Sequence, residues 1–266
     1  MSIFVHNKEK LRGVVQKTPN VVIQKIQEGT DRDLCFIIGS GYSLNVDEED
    51  RVSWHDPAMI KHNYRLRKEI TVYIYFYTYE CEGLAAAAEE IAQFTNSIFE
   101  EHERIFFVGY SKCALCLCKA TEYLKDLVTL ATISPPIHGT IIADQEAIEK
   151  MVKSPILMWM YRKIFSNHKI DKDIIPGSEF LKGLKEPVCK EHINIRSKLS
   201  GKKIYLNPID YFLLLVDKVL KLGGDGIVPF ASQQAKTEKQ ITIDCSHVSS
   251  LKVGLRLIEE YSRLMK

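Results

Sequence analysis

The stretch FFVGYSKCALC, Phe106–Cys116, decides the fold. An apolar, aromatic run ends in Gly-Tyr-Ser-Lys-Cys, and small residues at helical spacing follow. The run reads as a buried strand, and its stop at a serine has two readings. One is an ordinary tight turn. The other is a strand–turn–helix elbow that lifts one hydroxyl into a cleft. The rest of the chain discriminates between them.

Outward from this point, strand and helix alternate. VVIQKI (Val21–Ile26) and LCFIIG (Leu34–Gly39) read as strands, the second apolar throughout and therefore central. ITVYIYFYTY (Ile70–Tyr79) is β-branched and aromatic, a strong strand pattern. Gly83–Glu101 is an Ala/Glu-rich helix. LVTLATIS (Leu127–Ser134) is another buried strand, stopped by Pro135-Pro136. This rhythm predicts an α/β fold, a mostly parallel central sheet with helices on both faces. It breaks after Pro136 and resumes with KKIYLN (Lys202–Asn207), then KQITIDC (Lys239–Cys245) and a terminal amphipathic helix over Ser249–Met265. Residues 138–200 are therefore read as a helical cap inserted into one domain spanning 1–266.

Composition narrows the function classes. The 266 residues are 45% hydrophobic and 26% charged with a net charge of +2, the balance of an ordinary globule. No basic stripe interleaved with aromatics suggests nucleic acid. MSIFVHNKEKLRG at the N-terminus lacks the apolar core of a signal peptide. No apolar run approaches the roughly 20 residues of a membrane span. The 7 scattered cysteines then read as reduced thiols, which gives the expectation of a cytoplasmic protein without an integral membrane segment. Cys113, Cys116 and Cys118 have no nearby histidine and read as small buried hydrophobes rather than metal ligands.

A serine hydroxyl is a weak nucleophile near neutral pH. It needs an adjacent base, a carboxylate to orient that base, and donors for the oxyanion. Ser111 has Gly109 two residues before it, but Cys113 stands two residues after, where a second glycine is usual. GGDGIVPF (Gly223–Phe230) sets Asp225 between glycines in a loop, and IDCSHVSS (Ile243–Ser250) sets His247 just past a predicted strand. Rival acids are Asp210 and Asp217, which lack that loop pattern. The rival base is His138, in a turn before the insertion, while His168 and His192 sit in polar surroundings and read as solvated.

These segments resemble the lipase and esterase branch of the α/β-hydrolases. VGYSKCAL is similar to that branch's Gly-His-Ser-Lys-Gly-Gly elbow, and DGIVPFAS to its Asp-Gly-Val-Val-Pro loop. TISPPIHGTIIAD (Thr132–Asp144) is similar to the turn after the elbow helix, and DIIPGSEFLKGL (Asp173–Leu184) to a segment of the cap. The four motifs stand in the family's order between about residue 34 and the C-terminus. The resemblance implies a Ser111–Asp225–His247 triad, with one oxyanion donor at the amide of Lys112. It implies the second donor in GSGYS (Gly39–Ser43), where aligning Ser40-Gly41-Tyr42 to the family's His-Gly-aromatic makes Tyr42 the donor. Serine replaces the usual histidine there, and the register stays open by one residue.

The expected activity is cleavage of carboxylic, acyl or lipid-like esters through an acyl-enzyme, with a small-molecule ester as partner and neither metal nor organic cofactor. Gly41 and Tyr110 beside the catalytic residues, and Leu157, Trp159 and Met160 in the insertion, are the expected substrate contacts. An acyltransferase or thioesterase on the same fold, or a catalytically silent binding protein, are the alternatives.

Overall fold

The computed structural model describes residues 13–31, 33–43, 66–78, 80–155, 158, 159, 161, 169–199 and 208–264. Among them eight strands form one sheet: β1 (Val14–Lys17), β2 (Val21–Gln27), β3 (Leu34–Ser43), β4 (Thr71–Tyr77), β5 (Arg104–Tyr110), β6 (Thr129–Ile133), β7 (Glu191–Ser197) and β8 (Lys239–Ile243). The spatial order is β1-β2-β4-β3-β5-β6-β7-β8. β1 and β2 pair antiparallel, and β2 antiparallel to β4; every other pairing is parallel.

Six α-helices accompany the sheet among the described residues: α1 (Leu84–Ile98), α2 (Lys112–Ala120), α3 (Gln145–Met151), α4 (Glu179–Gly183), α5 (Pro208–Leu220) and α6 (His247–Leu264). The sheet is covered on both faces, as a parallel sheet requires. On one face, Ala87, Ala88 and Ile91 of α1 and Leu115 and Cys116 of α2 pack against Ile37, Tyr75 and Phe107. On the other, Leu251, Leu255 and Ile258 of α6 pack against Phe36, Ile38 and Val108. All seven residues of β4 are buried, which is why its sequence is apolar without alternation.

One expectation about the insertion changes here. β7 lies inside the block 138–200 assigned to the insertion, so the excursion from the sheet ends at Lys190 and not at residue 200. The strand is cryptic because its sequence, EHINIRS, holds only two apolar residues, Ile193 and Ile195. Ile193 and Ile195 fill one face, while Asn194 is fully buried on the other, donating to the Gln233 carbonyl and accepting from Thr132 on β6. The strand expected at Lys202–Asn207 lies outside the described residues.

His192, expected to be solvated, is only partly exposed and lies against Thr132 of β6. Its Nε2 lies 3.0 Å from Thr132 Oγ1, and burial pushes its pKa down from 6.5 to about 4. The unfolded chain thus takes up a proton that the folded one refuses. The stability conferred by the neutral ring is complete above pH 6.5 and is lost as pH falls toward 4. The shift corresponds to about 2–3 kcal/mol after allowance for partial exposure. Urea unfolding at a series of pH values should show a steeper loss over this window for wild type than for His192→Gln. Equal slopes would place the ring in water.

Candidate active site

Ser111 sits between β5 and α2 with φ 55° and ψ −132°, a conformation that non-glycine residues rarely adopt. The turn is pinned from both sides. The Ser111 amide donates to the Ile133 carbonyl of β6 at 2.9 Å, and the Ala114 amide donates to the Ser111 carbonyl at 3.0 Å.

So sharp a turn presses α2 onto the sheet. A Cβ at Gly109 would lie 2.4 Å from Ala114 Cα, a backbone collision. The residue at 113 is a cysteine, and the space it needs comes from β3, where a Cβ at Gly39 would lie 2.6 Å from Cys113 Cβ and 2.4 Å from the Tyr75 hydroxyl. That hydroxyl donates to the Cys113 carbonyl at 3.0 Å. The glycine missing from the elbow is thus matched by one on the neighbouring strand.

The structure brings the three expected residues together. Ser111 Oγ lies 2.9 Å from His247 Nε2, and His247 Nδ1 lies 2.8 Å from Asp225 Oδ2. His247 begins α6, only 2% exposed, and its amide donates to the Asp225 carbonyl at 2.9 Å. Asp225 is fully buried. Its Oδ1 accepts from the amides of Ile227 (3.1 Å) and Val228 (2.8 Å), and its Oδ2 also accepts from Ser197 Oγ at 2.6 Å. Asp217 instead accepts from the Gly224 amide at 2.8 Å and shapes the loop that carries Asp225. His138 donates its amide to Ser232 in a turn, and the side chain of Asp210, like all of His168, lies outside the described residues.

Tyr110 is a correction. Expected at the substrate, it is fully buried. Its hydroxyl donates to the His247 carbonyl at 2.9 Å, and its ring lies 4.9 Å from the imidazole, centroid to centroid. It supports His247 and presents no surface to a ligand. Ser250 Oγ donates to the same carbonyl at 2.7 Å.

Gly41 and Tyr42 lie not in a loop but in the last part of β3, which runs to Ser43 and pairs irregularly with β4 beyond Gly39. The Tyr42 side chain lies outside the described residues, as do Leu157 and Met160. Trp159 is 63% exposed, and its neighbour Met158 packs with Ile142, Ile148 and Tyr161. Lys112 Nζ pairs with Asp171 Oδ1 at 2.8 Å, tying the elbow helix to the excursion. All seven cysteines are free thiols, and burial raises the pKa of Cys116 well above its usual value. Among the described residues no cluster of His, Cys, Asp and Glu could hold a metal ion, and no helix is long and apolar enough to cross a membrane.

No protein-family model and no curated protein matches the chain. Solved structures do. The Bacillus licheniformis lipase BlEst2 superposes with a TM-score of 0.62 over 94% of this chain and 100% of its own, at 12% identity. The YbtT type II thioesterase of yersiniabactin biosynthesis, as an alanine mutant, superposes with a TM-score of 0.52 over 91% of this chain and 96% of its own, at 8% identity. The chain has the α/β-hydrolase fold. At these identities the likeness is one of architecture, which matches the mostly parallel sheet and the elbow between β5 and α2.

The close approach at the elbow can be tested by one methyl group. Gly109→Ala should cost about 1–3 kcal/mol in urea unfolding, because backbone must move to admit it. At Gly183, in α4, an added methyl would meet nothing within 4 Å. Gly183→Ala should be neutral or slightly stabilising. Similar losses at both sites would show that α2 does not press on β5.

Proposed function

We propose that the protein is a serine hydrolase acting on carboxylic esters. One observation carries this reading: the unbroken hydrogen-bonded line from Ser111 Oγ through His247 to the buried carboxylate of Asp225, set at an elbow of strained backbone. The Asp225 carboxylate accepts a hydrogen bond from His247 Nδ1–H, which leaves the Nε2 lone pair facing the Ser111 hydroxyl. Ser111 attacks the ester carbonyl as His247 takes its proton. The tetrahedral oxyanion collapses to an acyl-enzyme, and His247 returns the proton to the departing alcohol. Water, deprotonated by the same base, then releases the acid and restores Ser111.

The oxyanion needs backbone donors that the fold does not already use. The first amides of a helix have no intrahelical acceptor and lie at the positive end of its dipole. Lys112 opens α2 beside the nucleophile, which supports its amide as one donor. The Tyr42 amide, at the end of the strand next to β5, is the second in this reading. Gly41 beside it leaves room for the ester.

The excursion between β6 and β7 is read as a cap, residues 138–190, whose exposed Trp159 meets the acyl chain together with Leu157 and Met160. An apolar surface of this kind suits a hydrocarbon acyl group.

Ser111→Ala should lose on the order of 10⁴-fold or more in ester turnover while keeping its unfolding midpoint, and it should no longer react with a fluorophosphonate probe. Asp225→Asn should cost less, since nucleophile and base remain. An active Ser111→Ala variant would end the reading.

Trp159→Ala should weaken turnover of octanoyl esters far more than of acetyl esters, because each CH₂ that loses contact costs about 0.8 kcal/mol. An equal penalty at both chain lengths would remove Trp159 from the acyl site.

A further inference from the structure

Asp225 reaches the site by a detour. β7 ends at Ser197, and the chain passes through α5 before Asp225 appears, 28 residues further on. The acid therefore does not inherit its position from the strand that precedes it. It is brought back to the strand end by contacts that converge on one residue.

Every polar group of Ser197 is engaged there. Its amide donates to Gln233 Oε1 at 2.7 Å, its carbonyl accepts from Gln233 Nε2 at 3.0 Å, and its hydroxyl donates to Asp225 Oδ2 at 2.6 Å. Gln233 Nε2 also lies 3.3 Å from the same carboxylate oxygen, and the Leu199 amide donates to the Gly224 carbonyl at 2.8 Å. Ser197, Gln233 and Asp225 are all fully buried. Oδ2 is also the oxygen that faces His247 Nδ1. A carboxylate free to turn about its Cβ–Cγ bond would swing its oxygens off the line to the imidazole. With one oxygen held by two amides and the other by Ser197 and Gln233, the plane of the carboxylate is fixed.

We infer that Ser197 and Gln233 are positioning residues for the acid: Gln233 pins the returning loop to the end of β7, and the Ser197 hydroxyl fixes the carboxylate that orients His247. The inference rests on the catalytic reading of Ser111, His247 and Asp225. A merely structural pair would affect stability alone. A positioning pair acts through the carboxylate, so its effect should vanish when the carboxylate is neutral.

The test is a double-mutant cycle on a p-nitrophenyl ester, with the fluorophosphonate labelling rate read in parallel. Ser197→Ala should lose about tenfold in kcat at unchanged KM, the value of one hydrogen bond to a charged group. Ser197→Thr, which keeps the hydroxyl, should recover most of it. In an Asp225→Asn background the same Ser197→Ala change should matter by less than about twofold. Gln233→Ala, a second route to the same loop, should repeat the pattern. Wild-type kcat in Ser197→Ala, or the same fold loss in both backgrounds, would overturn the inference.

A measurement without turnover separates this failure from that of the catalytic reading. The low-field proton resonance of His247 Nδ1–H should move or broaden in Ser197→Ala; an unchanged resonance overturns the positioning role. A wild-type protein inert to the probe refutes the hydrolase reading, and the resonance then decides the anchoring on its own.

Discussion

The complete burial of the Asp225 carboxylate is the constraint on which the rest of the site depends. A buried charge is costly unless it is paired or fully hydrogen-bonded. No lysine or arginine is paired with it among the described residues; its partners are two backbone amides, a serine hydroxyl, a glutamine amide and one imidazole. Those donors come from the end of β7, the acid's own loop, the turn at residues 231–233 and the start of α6. Together they satisfy the oxygens of the buried carboxylate. The same set fixes the imidazole, which in turn faces Ser111. The orientation of the imidazole that faces Ser111 is thus determined largely by groups on β7 and on the loops at residues 225–233.

The elbow imposes a second condition of a different kind, purely steric. α2 begins at a residue in strained backbone, and the helix must lie almost on the sheet to meet it. Gly109 supplies the room on β5 and Gly39 on β3, where Cys113 and the Tyr75 hydroxyl fill the space a side chain would occupy. A cysteine where the usual pattern has glycine is accommodated by a glycine across the sheet. Sequence motifs record such a trade only when both strands are read together.

The same two conditions explain what is and is not readable from the chain. The parallel sheet is legible in long apolar runs such as ITVYIYFY, because strands buried on both faces have no polar side to hide. Ser111, Asp225 and His247 are legible because each stands in a short local pattern at the end of a predicted element. β7 is not, since EHINIRS satisfies its buried polar residues through partners far away in sequence. Asn194 bonds to Gln233 at a separation of 39 residues, and Ser197 to Gln233 at 36. Tyr110 misleads for a similar reason. Adjacency to Ser111 in sequence places its side chain on the opposite side of the strand, facing α6 and the His247 carbonyl.

The excursion after β6 is bound to this machinery at its base. Asp171 pairs with Lys112 at the start of α2, and Asp173 Oδ2 accepts from the Leu84 amide at the start of α1 at 2.8 Å. Negative charge at a helix N-terminus is favourable, because unpaired amides and the helix dipole both meet it. The two helices that cover the elbow face of the sheet are therefore held at their first turns by one short segment. The Lys112 side chain is only 9% exposed. Moving the segment away would take from the ammonium group its one carboxylate partner among the described residues and leave it only the Tyr77 ring, 6.0 Å away, beside the amide that the catalytic reading assigns to the oxyanion. The cost of an unpaired, poorly solvated charge is large. The base of the excursion, where Asp171 and Asp173 sit, is consequently fastened to the elbow.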